Sequence, residues 1–372
     1  MDLVLLVVAL AIILFGAELF TNGIEWFGHR LNLAEGAVGS VLAAVATAMP
    51  ETLIPVIAIV GPTFFGGGSA NSAEIGVGAI LGAPFMLSTL AMFVTGLAIV
   101  IVARRGRRGT EMAVNVRVLG RDVVFFLVAY TAAIGSAFLP ADLRVGRWAV
   151  AVALVVLYAV YVRAHFTDPA EEGDASDLNR LHLSRLTERL PSRVVEIDVL
   201  PGEDEPSKAA EGVPRLRIIV TQVVAALALI IIGAQVFVGA VEHLSSAIGL
   251  DPRILALVIA PIATELPEKF NSVIWVRSGK DTLAMGNISG AMVFQSCLPT
   301  VLGILFTEWT FTASSALAFA SAGAAFVSTL LIFGMMLRRG RLSAWSLLIG
   351  GPIYLVYVAA ALLLPAGTAA AH

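Results

Sequence analysis

The sequence predicts an all-α polytopic membrane protein whose ten transmembrane helices form two inverted five-helix repeats. Three observations predict this fold class: the composition, the number of long apolar stretches, and an internal repeat. Of the 372 residues, 58% are hydrophobic and only 14% are charged, whereas about 25% of the residues in a soluble domain are charged. The composition therefore excludes a soluble globular domain.

Ten apolar stretches are long enough to cross a bilayer, which takes about 20 mostly apolar residues for a helix. The first is expected to be a retained span rather than a secretory signal, because Asp2 stands where a signal would carry positive charge. The single cysteine, Cys297, excludes an intrachain disulfide bond and is expected to be a small core residue. The predicted spans cover residues 3–27, 36–60, 74–102, 122–140, 145–163, 216–242, 252–276, 283–306, 311–337 and 342–364.

The spans predict three regions: a first five-span repeat at 1–163, a cytoplasmic loop at 164–214, and a second five-span repeat at 215–372. The loop is rich in acidic residues and prolines and is typical of a linker. One short amphipathic helix is expected within it, because five leucines recur there at helical spacing. They are Leu178, Leu181, Leu183, Leu186 and Leu190.

The basic residues predict the orientation of the bundle. If both termini lie outside, the inside segments are those that follow spans 1, 3, 5, 7 and 9, and they hold 20 of the 24 Lys and Arg residues. Positive charge is concentrated on the cytoplasmic side of membrane proteins. The sequence therefore predicts a multi-pass protein of the inner membrane with both termini outside, and the arginine clusters are interpreted as topology signals rather than as a nucleic-acid site.

The internal repeat is visible when the sequence is shifted by 217 residues. Residues 16–51 then align with 233–268 without a gap, and 11 of 36 positions are identical. At a shift of 208, Gly78 and Gly82 align with Gly286 and Gly290, and these glycines are expected to allow close approach of neighbouring helices. Corresponding spans are five apart, and because five is odd the two halves must cross the membrane in opposite directions. Secondary transporters share this plan, with the binding site near the midplane on interrupted helices.

The two repeats place the same chemistry at one position. Pro50 and Pro267 remove a backbone donor and interrupt a helix, and each is followed by a glutamate, Glu51 or Glu268. An ionisable residue at this depth is a functional hypothesis by default. Freed carbonyls, threonine hydroxyls and carboxylates are hard oxygen ligands that suit Ca²⁺ or Na⁺. The candidate ligands at the two breaks are Ala46, Thr47 and Glu51, and Ala263, Thr264 and Glu268.

Alternatives stay open at several of these positions. The two central glutamates could be protonated structural carboxyls. Glu265 could pair with Lys269, four residues later in the favourable order, or it could serve as a third carboxylate or a proton carrier. Lys269 could act as a tethered cation near the site. Gln295 could lend an amide oxygen to a cation, whereas Asn287, between glycines, favours helix packing.

The repeats resemble those of the cation/Ca²⁺ exchanger (CaCA) superfamily, in particular prokaryotic Na⁺/Ca²⁺ exchanger-like membrane proteins. The resemblance covers 36–102 and 252–306 and rests on Thr-x-x-Pro-Glu, which ends at Glu51 and again at Glu268. It implies an exchanger in which these two glutamates are the central cation ligands. The resemblance also implies that the hydroxyls or carbonyls of Thr47 and Thr264 contribute oxygen ligands to the same cation.

The sequence departs from the superfamily at the second motif, on spans 3 and 8. A serine ligand is replaced by Ala83 and Ala291, and the closing Asn or Asp by Leu87 and Gln295. In the first motif, a serine is replaced by Ala48 in one repeat and by Glu265 in the other. Oxygen ligands for flanking Na⁺ sites are therefore missing, and the identity of the coupling ion is left open.

The function predicted from these residues is secondary active antiport of Ca²⁺, or a related cation, for Na⁺ by alternating access. Exchange for H⁺ is the alternative. A channel would use a ring of carboxylates, which one central pair does not supply, and an intramembrane hydrolase would show further acid–base motifs. We expect no enzyme activity, no cofactor and no nucleic-acid partner. The expected partners are the lipid bilayer and inorganic cations, and the oligomeric state is left open.

Overall fold

The fold is described from a computed structural model that covers twelve ranges of the chain. The elements with defined bounds within those ranges are twelve α-helices, a π-helical segment, a 3₁₀ turn and a pair of short strands. The ranges are 2–30, 40–41, 44–65, 72–106, 108–140, 143–167, 181–183, 214–248, 272–273, 275–277, 279–312 and 315–363.

The helices follow the order of the predicted spans. A π-helical segment, Leu87–Ala91, joins α4 to α5, and a 3₁₀ turn, Ser136–Phe138, follows α6. Strands β1 (Glu111–Met112) and β2 (Leu342–Ser343) pair antiparallel. The helices are α1 (Asp2–Arg30), α2 (Ala44–Thr47), α3 (Met49–Phe65), α4 (Ser72–Met86), α5 (Met92–Arg104), α6 (Val116–Gly135), α7 (Arg144–Phe166), α8 (Leu216–Ile248), α9 (Asp281–Phe306), α10 (Ala316–Arg339), α11 (Ala344–Leu347) and α12 (Gly350–Leu363).

Eight helical stretches within the described ranges are long and apolar enough to cross a membrane, and each coincides with a predicted span. The predicted span at 36–60 corresponds to α2 and α3, which include the shorter apolar stretch Glu51–Pro62. The predicted span at 252–276 lies almost wholly outside the described residues. The structure therefore confirms a multi-span helical protein, and the full set of ten helices stays a prediction.

Helix α6 begins six residues before the predicted span. The side chain of Asn115 explains this start, because its Oδ1 accepts hydrogen bonds from the backbone N–H groups of Arg117 (3.1 Å) and Val118 (3.2 Å). Such a side chain satisfies backbone donors that a helix N-terminus leaves open. Arg117 and Arg121 therefore lie in the first turns of α6, and the prediction that they belong to a loop was wrong.

Helices α1 and α8 pack against each other through two glycines. A Cβ atom on Gly16 would lie 2.8 Å from Cγ1 of Ile230, and one on Gly233 would lie 2.7 Å from Cγ1 of Ile13. These contacts are reciprocal, because the shift of 217 residues relates Gly16 to Gly233 and Ile13 to Ile230. The internal repeat therefore appears in three dimensions at this helix pair.

A second contact fixes the direction of the pair. Gln222, near the start of α8, donates from Nε2 to the carbonyl oxygen of Leu19 at 2.8 Å, towards the end of α1. Ile13, which precedes Leu19, contacts Gly233, which follows Gln222. The two helices are therefore antiparallel, as the inverted repeat requires of spans 1 and 6.

Part of the predicted loop lies against this same pair of helices. Leu181 is buried in a small apolar cluster with Trp26 and Ile219. The next two backbone N–H groups donate to side chains of the pair, from residue 182 to Asn22 Oδ1 (3.0 Å) and from residue 183 to Gln222 Oε1 (2.8 Å). The rest of the predicted amphipathic helix lies outside the described residues.

The remaining long helices form a second core around α9. Helix α10 runs parallel to α4 beside it, because Ser321 Oγ donates to the carbonyl of Leu81 (3.3 Å) and Ser328 Oγ donates to that of Ser88 (2.5 Å). Apolar side chains on the outer helices are exposed, among them Val145 on α7, 81% exposed. Large apolar surfaces of this kind are rare on soluble proteins, and these outer faces therefore fit a lipid bilayer.

Two sets of loops meet at opposite ends of the bundle. The segments after the third and ninth predicted spans pair through β1 and β2. At the other end, the backbone N–H of Phe311 donates to the carbonyl of Ala137 (3.0 Å), and the ring of Phe311 stacks on Phe138. These contacts join loops that the predicted topology places on one side of the membrane in each case.

Arg108 has a structural role beyond its value as a topology signal. Its guanidinium forms a bidentate pair with Asp281, at 2.7 and 2.5 Å, and also donates to the carbonyl of Val276 at 2.8 Å. The Arg108 side chain is 16% exposed and that of Asp281 is 2% exposed. The pair thus attaches the loop after span 3 to the start of α9 and to the segment before it.

Asp281→Asn is expected to lower the free energy of unfolding by about 2 kcal/mol, because removing one partner leaves a partly buried charge poorly compensated. Chemical denaturation in detergent micelles measures the effect. Glu111→Gln is the matched control, since its ion pair with Arg341 is more than half exposed and should contribute at most about 0.5 kcal/mol. Equal effects of the two substitutions would contradict the assignment.

Candidate functional site

The second predicted span is interrupted where the sequence places Pro50. Helix α2 ends at Thr47 and α3 begins at Met49, with a turn at Ala48 between them. Proline has no backbone N–H, so the carbonyl of Ala46, four residues earlier, receives no helical hydrogen bond from that position. The predicted helix break is confirmed, and Glu51 lies in the first turn of α3, only 5% exposed.

Thr47 joins this break to α9. Its Oγ1 lies 3.1 Å from Oδ1 of Asn287 and donates to it. Thr47 and Asn287 are both fully buried, so the bond links two elements away from solvent. This bond agrees with the expectation that Asn287 serves helix packing, which stays a prediction, and its partner is one of the predicted ligands.

Gln295 reaches the same break from further along α9. Its Nε2 lies 3.2 Å from the carbonyl oxygen of Ala48, three residues before Glu51, and 3.3 Å from Oγ1 of Thr52, the residue after it. Its Oε1 is buried and has no hydrogen-bond partner among the described residues. A buried acceptor without a partner is destabilising by about 1–3 kcal/mol. This oxygen is therefore chemically suited to a cation.

One backbone hydrogen bond of α9 is missing beside Gln295. Pro299 cannot donate to the carbonyl of Gln295, and the hydroxyl of Thr300 donates to it instead at 3.0 Å. In the first repeat, the π-helical segment Leu87–Ala91 occupies the aligned positions. π-Helical turns within α-helices occur frequently at functional sites. At the aligned positions the first repeat is therefore π-helical, whereas the second remains α-helical and lacks one backbone hydrogen bond.

Two glycines of α9 allow close approach of the second span. A Cβ atom on Gly290 would lie 2.1 Å from the carbonyl oxygen of Ser40, and one on Gly286 would lie 2.8 Å from its Oγ. The prediction that Gly286 and Gly290 permit close helix packing is confirmed. This approach brings the chain that leads to Thr47 and Glu51 directly onto α9.

The structure brings together three of the predicted site residues: Thr47, Glu51 and Gln295. Ala46 lies in α2, but its side chain is outside the described part of the structure. The positions that lack the superfamily's ligands, Ala83, Leu87 and Ala291, are all buried and offer no side-chain oxygen. The predicted ligands of the second break are outside the described residues: Ala263, Thr264, Glu265 and Glu268.

A further buried carboxylate, Asp122 on α6, was not among the residues predicted from the sequence. It is 0% exposed and lies 2.6 Å from Oγ of Ser289 on α9. Its position at the head of an apolar stretch was the available signal. The predicted span, 122–140, starts at this residue.

Gln295→Leu is expected to raise the half-saturating cation concentration about tenfold, because it removes one neutral oxygen ligand while keeping the side-chain size. The concentration dependence of cation uptake into proteoliposomes measures this change. Ser296→Ala is the matched control, since the Ser296 hydroxyl donates only within its own helix, to the carbonyl of Val293 (2.9 Å). An unchanged half-saturating concentration in Gln295→Leu would remove Gln295 from the ligand set.

Comparison with known proteins supports the interpretation of the repeats. The model of the family described as sodium/calcium exchanger protein matches residues 1–166 and 218–363. Over 120 residues the chain is 33% identical to CaxA of Alkalimonas amylolytica, which is named as an antiporter. That match covers 31% of this chain and 36% of the relative, so it spans about a third of the relative's length.

Solved structures share the fold across nearly the whole chain. The H⁺/Ca²⁺ exchanger CAX superposes with a TM-score of 0.70 at 15% identity, covering 99% of this chain and 82% of the other. The sodium-calcium exchanger NCX_Mj, soaked with Na⁺ and Sr²⁺, superposes with a TM-score of 0.59 at 17% identity, covering 96% and 98%. With the family match, the repeat motifs and the interrupted helix, this chain belongs to the sodium/calcium exchanger protein family of membrane exchangers.

Proposed function

We propose that this protein is a secondary active antiporter that moves Ca²⁺, or a related cation, in exchange for Na⁺ or H⁺. The cation would bind between Glu51 and Glu268, with oxygens from Thr47, Thr264 and the carbonyls of Ala46 and Ala263. One observation carries the proposal: Glu51 is buried at a helix break that two residues of α9 contact, Asn287 by accepting from Thr47 and Gln295 by donating to the carbonyl of Ala48. Glu265 is proposed as a further carboxylate of the same site or as the partner of Lys269.

Alternating access is supported by the symmetry of the first and sixth spans. The reciprocal contacts of Gly16 and Gly233 relate α1 and α8 by the repeat, and inverted repeats allow one half to rock against the other around a fixed site. We propose that this pair moves against the core built on α9. The arginine distribution supports an orientation with both termini outside the cytoplasm, in the inner membrane.

The counter-ion is the open part of the proposal. Na⁺ is the counter-ion that the family's description suggests. H⁺ is the second candidate, and it is favoured by Ala83, Leu87 and Ala291, which are buried where side-chain oxygens would hold flanking Na⁺ ions. Two carboxylates brought together hold a proton more readily than one alone, and a divalent cation would release it.

Vesicle transport separates these possibilities. The purified protein is reconstituted into proteoliposomes, and ⁴⁵Ca²⁺ uptake is measured with an outward Na⁺ gradient and then with an outward H⁺ gradient. Gradient-driven uptake with either ion is the expected result, and the effective gradient identifies the counter-ion. Absence of uptake under both gradients would overturn the Ca²⁺ assignment.

A further inference from the structure

Asp122 is the centre of a buried polar cluster outside the proposed cation site. Its Oδ2 accepts from Ser289 Oγ at 2.6 Å and from Ser40 Oγ at 3.2 Å. Its Oδ1 lies 2.9 Å from His165 Nε2 and 3.1 Å from the hydroxyl of Tyr161. All five residues are at most 2% exposed. We call these five residues the Asp122 cluster.

The cluster joins four elements of the fold. Asp122 lies on α6, Tyr161 and His165 lie on α7, Ser289 lies on α9, and Ser40 lies ahead of α2. The Tyr161 hydroxyl lies 3.0 Å from the carbonyl oxygen of Ser40, so it has one proton to share between that oxygen and Asp122. Ser40 is thus held through both its side chain and its backbone.

Ser40 connects the cluster to the cation site. Its backbone lies on Gly286 and Gly290 of α9. Seven residues further along the chain, Thr47 donates to Asn287, between these two glycines. The position of Ser40 on α9 therefore fixes the approach of the helix break that carries Glu51.

The protonation of His165 follows from its neighbours. NH2 of Arg121 lies 3.2 Å from Nδ1 of His165, and NH1 of the same residue donates to the carbonyl of Ala164 at 3.0 Å. A guanidinium can only donate hydrogen bonds, so Nδ1 carries no proton and accepts. The single imidazole proton is then on Nε2, which donates to Asp122. His165 is neutral in this arrangement and Asp122 is the charged acceptor.

An additional proton would change the hydrogen bonds of the cluster at either of its two available positions. On Nδ1 of His165 it would break the bond from Arg121 and place two cations side by side. On Asp122 it would remove the charge that strengthens the bonds from Ser40 and Ser289. The titratable or charged groups that face the pair are Arg121 on its own helix and Tyr161 on α7, while α9 and the second span contribute the neutral serines.

We propose that Asp122 and His165 are positioning residues for cation exchange. They hold the start of the second span on α9 through the hydrogen bonds that Asp122 accepts from Ser40 and Ser289. A proton on Asp122 would weaken these bonds, so the proton is the ligand of the Asp122 cluster. This inference rests on the proposed antiport function. It predicts that acidification releases Ser40 from α9 and slows exchange, independently of proton binding at the central glutamates.

The first test measures the position of the span without measuring transport. Val41, beside Ser40 and 5% exposed, is replaced by cysteine in a full-length Cys297→Ser background, and its rate of maleimide labelling is measured at one fixed pH. Asp122→Asn is expected to raise that rate about tenfold or more, the consequence of losing a charge-assisted hydrogen bond. Tyr158→Phe, which removes a hydroxyl outside the cluster on α7, the helix of Tyr161 and His165, should leave the rate unchanged. Equal labelling with and without Asp122→Asn would overturn the proposal.

The second test uses the pH profile of exchange with the same pH on both sides of the vesicle. His165→Gln keeps an amide N–H that can donate to Asp122 but removes the imidazole. It is expected to retain exchange and to flatten the acid side of the profile. An unchanged acid response would overturn the role of His165, and this variant decides the matter if Asp122→Asn does not fold. If the wild-type protein shows no cation exchange, only the proposed function is refuted, because the labelling rate does not depend on transport.

Discussion

Glu51→Gln is expected to lower cation uptake about 100-fold or more, the equivalent of about 3 kcal/mol of lost ion binding. Glutamine keeps the size of the side chain and one oxygen, but it cannot carry the negative charge that a divalent cation requires at a buried site. Glu51 is 5% exposed in the first turn of α3, so water cannot replace that charge. The measurement is ⁴⁵Ca²⁺ uptake into proteoliposomes at a matched amount of reconstituted protein.

The control for this substitution is Glu308→Gln. Glu308 is an exposed carboxylate in the segment between α9 and α10, and its neutralisation should leave uptake within about twofold, since exposed charges contribute little. Wild-type uptake by Glu51→Gln, with the same apparent affinity, would show that Glu51 is a structural carboxyl and not a cation ligand.

Gly290→Ala is expected to destabilise the fold by about 3 kcal/mol, the upper part of the range for overpacking, and to reduce exchange. The added methyl group would lie 2.1 Å from the carbonyl oxygen of Ser40. That atom belongs to the backbone, so it cannot be relieved by a side-chain rotation. The second span must then move away from α9, which displaces the helix break at the site. Thermal unfolding in detergent, together with uptake assays, measures both effects.

Gly323→Ala is the matched control for this substitution. Gly323 is also helical, on α10, but a Cβ atom there would have no neighbour within 4 Å among the described residues. Alanine is favoured over glycine in a helix interior by about 0.5–1 kcal/mol, so this control should be neutral or slightly stabilising. Comparable destabilisation by the two substitutions would mean that the Ser40 contact does not limit the packing of α9.

The elements that the sequence could predict are those with a local physical cause. Runs of apolar residues long enough for a bilayer predicted the eight described spanning stretches. The missing N–H of Pro50 predicted the helix break, because its effect falls on a residue four positions away. The glycines at 286 and 290 predicted close approach, since only a residue without Cβ tolerates backbone contact.

The repeat carried the prediction beyond local structure. The alignment of Gly16 with Gly233 predicts equivalent surroundings for these two glycines. Their reciprocal contacts, Gly16 with Ile230 and Gly233 with Ile13, agree with that prediction. Hydropathy placed the start of α6 six residues too late, because a helix can begin with polar residues after a capping side chain such as that of Asn115.

By itself, the sequence determined the membrane class, the positions of the eight described spanning stretches, the helix break at Pro50 and the family motifs that end at Glu51 and Glu268. Only the tertiary structure decided which groups meet: Thr47 with Asn287, Gln295 with the turn at Ala48, and Asp122 with Ser40 and Ser289. The physical reason is that a serine, an asparagine or an aspartate in an apolar stretch must find a partner, but nothing in the local pattern says which one. These partners are 82 to 247 residues apart in sequence, and only the packing of the second span on the glycines of α9 brings them within hydrogen-bonding distance.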